Sequence, residues 1–147
     1  MTTSYNDVPD RYAVLSFLKS YSVKIALPGD EFQLASGGKS RLYIDAKKTV
    51  LHRKMHHPIA RLLAHQLHNF GTVDAVAGVV LGGCHLASLV ASYRSIHDTS
   101  FHNVLFVRKS AKDHGTKSVV EKPWSSRFGE SVVLFEDVLS TGKTSSD

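Results

Sequence analysis

Ser131-Val132-Val133-Leu134-Phe135-Glu136-Asp137-Val138-Leu139-Ser140-Thr141-Gly142-Lys143-Thr144-Ser145 is the stretch from which the fold is read. Its four consecutive apolar residues, Val132 to Phe135, are mostly β-branched or aromatic and predict a strand of a parallel sheet, buried on both faces. Whatever follows such a strand lies at the carboxyl edge of the sheet, where α/β proteins bind ligands. Here the adjacent carboxylates Glu136 and Asp137 come first, and then a turn of small hydroxyl residues from Ser140 to Ser145. Two carboxylates accept hydrogen bonds from vicinal sugar hydroxyls, and a Ser/Thr/Gly turn folds its amides into a concavity for an anion. A ribose phosphate satisfies both halves. Gly142-Lys143-Thr144 copies the end of a nucleotide-binding P-loop, but that loop needs a glycine where Asp137 stands, so the P-loop reading is excluded.

The 147 residues, 42% of them apolar, suit a single domain with an ordinary core, spanning 1–147. Within it, residues 8–50 are expected to form an amino-terminal helix and hairpin, and residues 58–147 the α/β core. No apolar run reaches the roughly 20 residues of a membrane span, and the polar start lacks a secretory signal, so the expected compartment is the cytosol. Cys84 is the single cysteine, which excludes an internal disulfide and a cysteine-built zinc site. The net charge of +5 suits a polyanionic partner. The basic residues are scattered and no RNP-type aromatic motif accompanies them, which argues against nucleic acid.

From Pro9, the residues Tyr12, Leu15, Leu18 and Tyr21 recur at helical spacing and predict a helix over 9–21 with that stripe inward. Residues 31–36 and 41–47 alternate like the two strands of a hairpin closed by Gly37-Gly38. Pro58 opens an amphipathic helix with Ile59, Leu62, Leu63, Leu67 and Phe70 on one face and Gly71 as its cap; its proline places His52, His56 and His57 outside, as solvated side chains. His65 and His68 are read the same way. Residues 74–81 predict a buried strand, Gly82-Gly83 a turn whose amides can meet a pyrophosphate, Leu86, Leu89, Val90 and Tyr93 the inward face of the next helix, and 103–107 a further strand. Cys84 and His85 are assigned to packing. Beyond Arg108, the segment holding Lys109, Lys112, His114 and Lys117 has almost no apolar content and cannot pack.

Three motifs carry a resemblance. The strand, acidic pair and Ser/Thr-rich turn of residues 131–145 resemble the phosphoribosyl-pyrophosphate motif of type I phosphoribosyltransferases. Phe106-Val107-Arg108-Lys109-Ser110-Ala111-Lys112-Asp113-His114-Gly115-Thr116 resembles the catalytic loop of orotate phosphoribosyltransferases, and Phe32-Gln33-Leu34-Ala35-Ser36-Gly37-Gly38-Lys39-Ser40 with Tyr43-Ile44-Asp45 is similar to the amino-terminal hairpin of the same enzymes. The resemblance does not reach the family's carboxyl-terminal part.

The resemblance implies an α/β fold, a type I phosphoribosyltransferase-like parallel sheet flanked by helices, with an amino-terminal helix and a β-hairpin hood. It implies transfer of a phosphoribosyl group from phosphoribosyl pyrophosphate to orotate, giving orotidine 5'-monophosphate and pyrophosphate. Lys112, His114 and Asp137 would be catalytic. Phosphoribosyl pyrophosphate would be held by Arg108, Lys109, Lys112, His114, Glu136, Asp137, Val138, Leu139, Ser140, Thr141, Gly142, Lys143 and Thr144, with the turn at Gly82 and Gly83 on its pyrophosphate. Tyr43, Ile44 and Ser140 would face orotate. Mg2+ would arrive with the pyrophosphate, without a direct protein ligand, and the chain would form a homodimer in which the loop closes over the neighbouring site. Ala35 and Lys143 depart from the family pattern, at a lysine position and at a small-residue position respectively. The alternative reading is a catalytically inactive module that binds phosphoribosyl pyrophosphate or a nucleotide.

Overall fold

The structure is a computed structural model that describes residues 9–34, 37–97, 103–110, 118–123 and 131–138. It opens with helix α1 (Pro9–Phe17), continued by one π-helical turn, Leu18–Ser22. Four short strands form two small antiparallel pairs: β1 (Val23–Ile25) with β4 (Leu42–Ile44), and β2 (Phe32–Gln33) with β3 (Lys39–Ser40). After the short helix α2 (Lys47–Val50) and the long α3 (His56–Leu67), the main sheet begins with β5 (Ala75–Val79). Helix α4 (Gly82–His97), β6 (Asn103–Val107), β7 (Val120–Glu121) and β8 (Val132–Phe135) follow. The sheet order is β7-β6-β5-β8; β5 runs parallel to both β6 and β8, and β7 is antiparallel to β6.

The core explains this arrangement. Val76, Ala87, Val90 and Ala91 pack with Ala64 and Leu67 of α3, against the half-buried Val133 and Phe135 of β8, so α3 and α4 cover one face of the sheet. Burying a valine such as Val76 contributes on the order of 2 kcal/mol, enough to disfavour a slipped register of β5. Val50, Met55, Ile59 and Leu86 form a second cluster that Val14 and Phe17 close from α1. This cluster ties the amino-terminal elements to the sheet. Ser22 and Thr49, both fully buried, satisfy each other through hydroxyls 2.6 Å apart, and Asp10 pairs with Arg61 to hold α1 against α3.

Several expectations are corrected here. Tyr12, Leu15 and Tyr21 are exposed, because α1 turns Val14 and Phe17 inward and Leu18 begins a wider π turn. The predicted hairpin is re-paired: β2 takes Lys39–Ser40, which precede the predicted second strand, while Leu42–Ile44 within that strand pairs with β1 instead, and Lys47 starts a helix. Gly37, at φ +87°, makes the turn as read. Helix α3 includes His56 and His57, since Pro58 is its third residue and the N–H that proline lacks has no intrahelical acceptor there. Phe70 is exposed because the chain tightens into a 3-10 turn at His68–Phe70.

The strand β8 alternates rather than burying both faces. Val132 and Leu134 are 43% and 40% exposed, since β8 is the outer strand of the described sheet and α3 and α4 cover only the side of Val133 and Phe135. No helix among the described residues is long and apolar enough to cross a membrane.

Candidate functional site

Two glycines bring three backbones into contact at the carboxyl edge of the sheet. A Cβ on Gly78, at the end of β5, would collide with the backbone of Gly83, and one on Gly83 would collide with the carbonyl of Phe135 at the end of β8. The first turn of α4 is therefore seated on the ends of two strands, closer than any side chain allows. A Cβ on Gly82 would meet the carboxylate of Asp137. Asp137 thus lies against the first residue of α4, where unpaired N–H groups favour negative charge. Gly82 and Gly83 open the helix rather than forming a separate turn as predicted; the turn is Val80-Leu81, joined by a cis peptide. At the opposite end of the same strands, Asp74 accepts the Ser131 N–H at 3.1 Å, which sets β8 beside β5.

Glu136 points inward. Its Oε2 is buried without a hydrogen-bond partner among the described residues. Burial first, and Asp137 beside it second, push its carboxyl above the ordinary range, while Lys109 pulls less strongly the other way. A buried acceptor with free lone pairs, next to a second carboxylate, is suited to a ligand that brings neighbouring hydroxyl donors.

Asp137 has a charged neighbour from the amino-terminal part of the chain. The Lys47 ammonium lies 3.6 Å from its Oδ2 and 3.7 Å from Oδ1 of Asp45. Asp137 holds that ammonium above its ordinary value, partial burial opposes it, and Asp45 and Tyr43 add to the effect of Asp137. Tyr43 therefore sits within electrostatic reach of the Lys47 ammonium, with its ring 5.3 Å from that of Phe32. Tyr43 and Ile44 are both exposed neighbours on β4 whose side chains alternate, so one of the two faces a given ligand surface.

Arg108 ends β6 and is engaged: its Nε donates to Glu121 at 3.0 Å and its backbone N–H to Val119 O at 2.8 Å. Lys109 is exposed, and its charge reaches Glu136. Val138 is exposed just past the acidic pair. Lys112, His114, Leu139, Ser140, Thr141, Gly142, Lys143 and Thr144 lie outside the described residues, as does Ala35. The structure thus brings together Gly82, Gly83, Glu136, Asp137 and Lys109.

Among the described residues no group of three or more His, Cys, Asp and Glu side chains could hold a metal. His65 and His68 are exposed as expected. His56 is not the solvated side chain read from the sequence: its ring stands edge-on to His85 at 5.1 Å, and Nε2 of each is buried without a hydrogen-bond partner among the described residues. Cys84 donates its thiol to Gly78 O at 3.3 Å, and burial raises its pKa, which marks a packing residue rather than a nucleophile. Sequence reading missed Lys47 and Gly78. The available signals were a lysine two residues after Asp45 and a glycine in an otherwise apolar buried strand.

No family model matches the chain. It is 39% identical over 109 residues to the orotate phosphoribosyltransferase of Sorangium cellulosum, covering 74% of this chain and 56% of that one. To the orotate phosphoribosyltransferase of Bacteroides thetaiotaomicron it is 34% identical over 140 residues, covering 92% and 60%. The chain spans little more than half the length of these curated relatives. Among solved structures, the Mycobacterium tuberculosis orotate phosphoribosyltransferase in complex with Fe(III) dicitrate superposes with a TM-score of 0.66 at 26% identity, covering 92% of this chain and 71% of that one. The same enzyme in complex with 5-phospho-alpha-D-ribosyl 1-diphosphate gives a TM-score of 0.63 at 22% identity, covering 95% and 65%.

Proposed function

We propose that this chain, a relative of orotate phosphoribosyltransferases with the type I phosphoribosyltransferase fold, binds phosphoribosyl pyrophosphate at the carboxyl edge of its sheet and transfers the phosphoribosyl group to orotate. The observation that carries this reading is the Asp137 carboxylate lodged against Gly82, with Glu136 and its free buried oxygen beside it. A single domain, 1–147, would hold the site, in the cytosol.

In the reaction the bond from C1 of the ribose to a pyrophosphate oxygen breaks and a bond from C1 to a ring nitrogen of orotate forms. That nitrogen gives up its proton to solvent or to the departing pyrophosphate, on which the electron pair of the broken bond leaves. Positive charge develops on the sugar, and negative charge on the departing group. Glu136 and Asp137 accept the ribose hydroxyls and face the growing sugar cation, which they stabilise more than the neutral ground state. The amides that open α4 meet the pyrophosphate end. Lys109, and Lys112 and His114 on the segment after it, supply cations as the pyrophosphate departs, with Arg108 held at the base of that segment by Glu121. The turn from Ser140 to Thr144 takes the 5-phosphate. Tyr43 or Ile44 supplies an apolar wall for the flat base.

Magnesium, when bound, neutralises pyrophosphate charge. It would travel on the pyrophosphate with its waters, for which the oxygens of Glu136 and Asp137 are fitting hard acceptors. A homodimer would let Lys112 close over the neighbouring site.

Pyrophosphate release tests the reading. With phosphoribosyl pyrophosphate, Mg2+ and a panel of orotate, uracil, hypoxanthine and adenine, release is expected with orotate alone. Turnover with a purine instead overturns the base assignment, and binding without turnover on any base makes the chain a sensor of phosphoribosyl pyrophosphate.

A further inference from the structure

We infer that Lys47 is a positioning residue that holds the Asp137 carboxylate over the opening turn of α4 and so couples the amino-terminal hood to the ribose-binding edge of the sheet. The inference rests on the functional reading above for its consequence, and on geometry alone for the pairing.

Lys47 is the first residue of α2, separated by Asp45 and Ala46 from the strand that carries Tyr43 and Ile44. Its ammonium spans the gap between Asp45 at 3.7 Å and Asp137 at 3.6 Å. Asp137 is fixed from the other side as well, because only the missing side chain of Gly82 leaves room for its carboxylate. The two constraints differ in kind. Gly82 permits the position, whereas Lys47 attracts the charge into it.

The distance matters for what the pair can do. At 3.6 Å the ammonium makes an ionic contact and no more than a long, weak hydrogen bond, so both oxygens of Asp137 keep lone pairs for incoming hydroxyls. The Asp137 side chain is only 10% exposed and that of Lys47 is 52% exposed, so water competes mainly on the lysine side. The base of α2 is also anchored: Thr49 is fully buried against Ser22, and Val50 belongs to the cluster shared with α4. A cation on so fixed a stem can orient a carboxylate; a lysine on a free loop could not.

Two experiments on the full chain test this. In the first, the Lys47 ammonium is followed by NMR through its titration in wild type and in Asp137→Asn. The charges that face it are Asp137, Asp45 and the Tyr43 hydroxyl, with Asp137 the strongest. Its midpoint should fall when Asp137 is neutralised; an unchanged midpoint overturns the pairing. The second is a double-mutant cycle read as affinity for phosphoribosyl pyrophosphate with Mg2+. Lys47→Met, which keeps the apolar stem, should bind about tenfold more weakly, Lys47→Arg should restore most of the loss, and Lys47→Met should change nothing further in an Asp137→Asn background. If Lys47→Met weakens binding equally in both backgrounds, Lys47 acts as a plain surface cation and the positioning role is wrong. If the NMR coupling is present but wild type does not bind phosphoribosyl pyrophosphate, the proposed function fails and so does the role of Lys47 in ribose binding, while the pairing itself stands.

Discussion

The carboxylate of Asp137 occupies the space that a side chain on Gly82 would need. The relationship joins two motifs 55 residues apart in the chain (137 − 82), the end of β8 and the start of α4, at one point of the sheet edge. Each alone is common in α/β proteins. Together they place a paired carboxylate on a helix amino terminus, which suits a ligand with hydroxyls at one end and phosphates at the other.

The three glycines should respond differently to alanine. At Gly78 and Gly83 the added methyl meets backbone, which cannot move away, so Gly78→Ala and Gly83→Ala should each cost about 1–3 kcal/mol or more. At Gly82 it meets the end of a side chain that can rotate, so Gly82→Ala should cost no more than about 1 kcal/mol while expelling Asp137 from its place. Urea midpoints at constant slope measure the difference. Equal losses at all three positions would contradict the seating of α4 described above.

Glu136 gives a pH dependence with a defined sign. Its folded carboxyl lies above the ordinary value of 4.5, through burial and then Asp137. The stability it contributes is therefore present below that value and lost as pH rises through the raised folded value. Glu136→Gln should be more stable than wild type at neutral pH, and the advantage should shrink as the pH is brought to about 4 or below. The same variant should bind phosphoribosyl pyrophosphate less well, since an amide offers fewer lone pairs to the ribose. A wild type that gains stability from pH 4 to 7 relative to the variant would reverse the sign and refute the burial argument.

Much of this was legible in the sequence, and the failures have a common physical form. The apolar runs at 75–79, 103–107 and 132–135 identified the three parallel strands, because a run of consecutive apolar residues is a local signal that needs no distant partner. Glu136 and Asp137 were found for the same reason: they follow one of those strands directly. What depended on partners distant in sequence was lost. The stripe of α1 was misassigned because Val14 and Phe17 are selected by Met55 and Ile59 across the core, not by spacing alone. The hairpin was re-paired because β4 finds β1 rather than its neighbour in sequence, and β8 was read as doubly buried because nothing in four apolar residues tells an outer strand from an inner one. Lys47 was missed because its partner lies 90 residues away (137 − 47).

If Lys112 acts across a dimer, two inactive variants should complement each other. Mixing Lys112→Ala with Asp137→Asn chains and allowing subunits to exchange creates heterodimers with one intact site of two, so recovery should approach roughly a quarter of wild-type activity. A fully exchanged mixture that remains inactive would place Lys112 in the site of its own subunit or outside the reaction.

The central claim, that Asp137 faces the ribose as its bond to pyrophosphate breaks, is tested most directly by steady-state conversion of orotate to orotidine 5'-monophosphate in wild type and Asp137→Asn. Removing the charge while keeping the shape should lower kcat on the order of 100-fold, because the carboxylate acts chiefly in the transition state, with the unfolding midpoint little changed. An Asp137→Asn chain that turns over orotate at the wild-type rate would contradict the account.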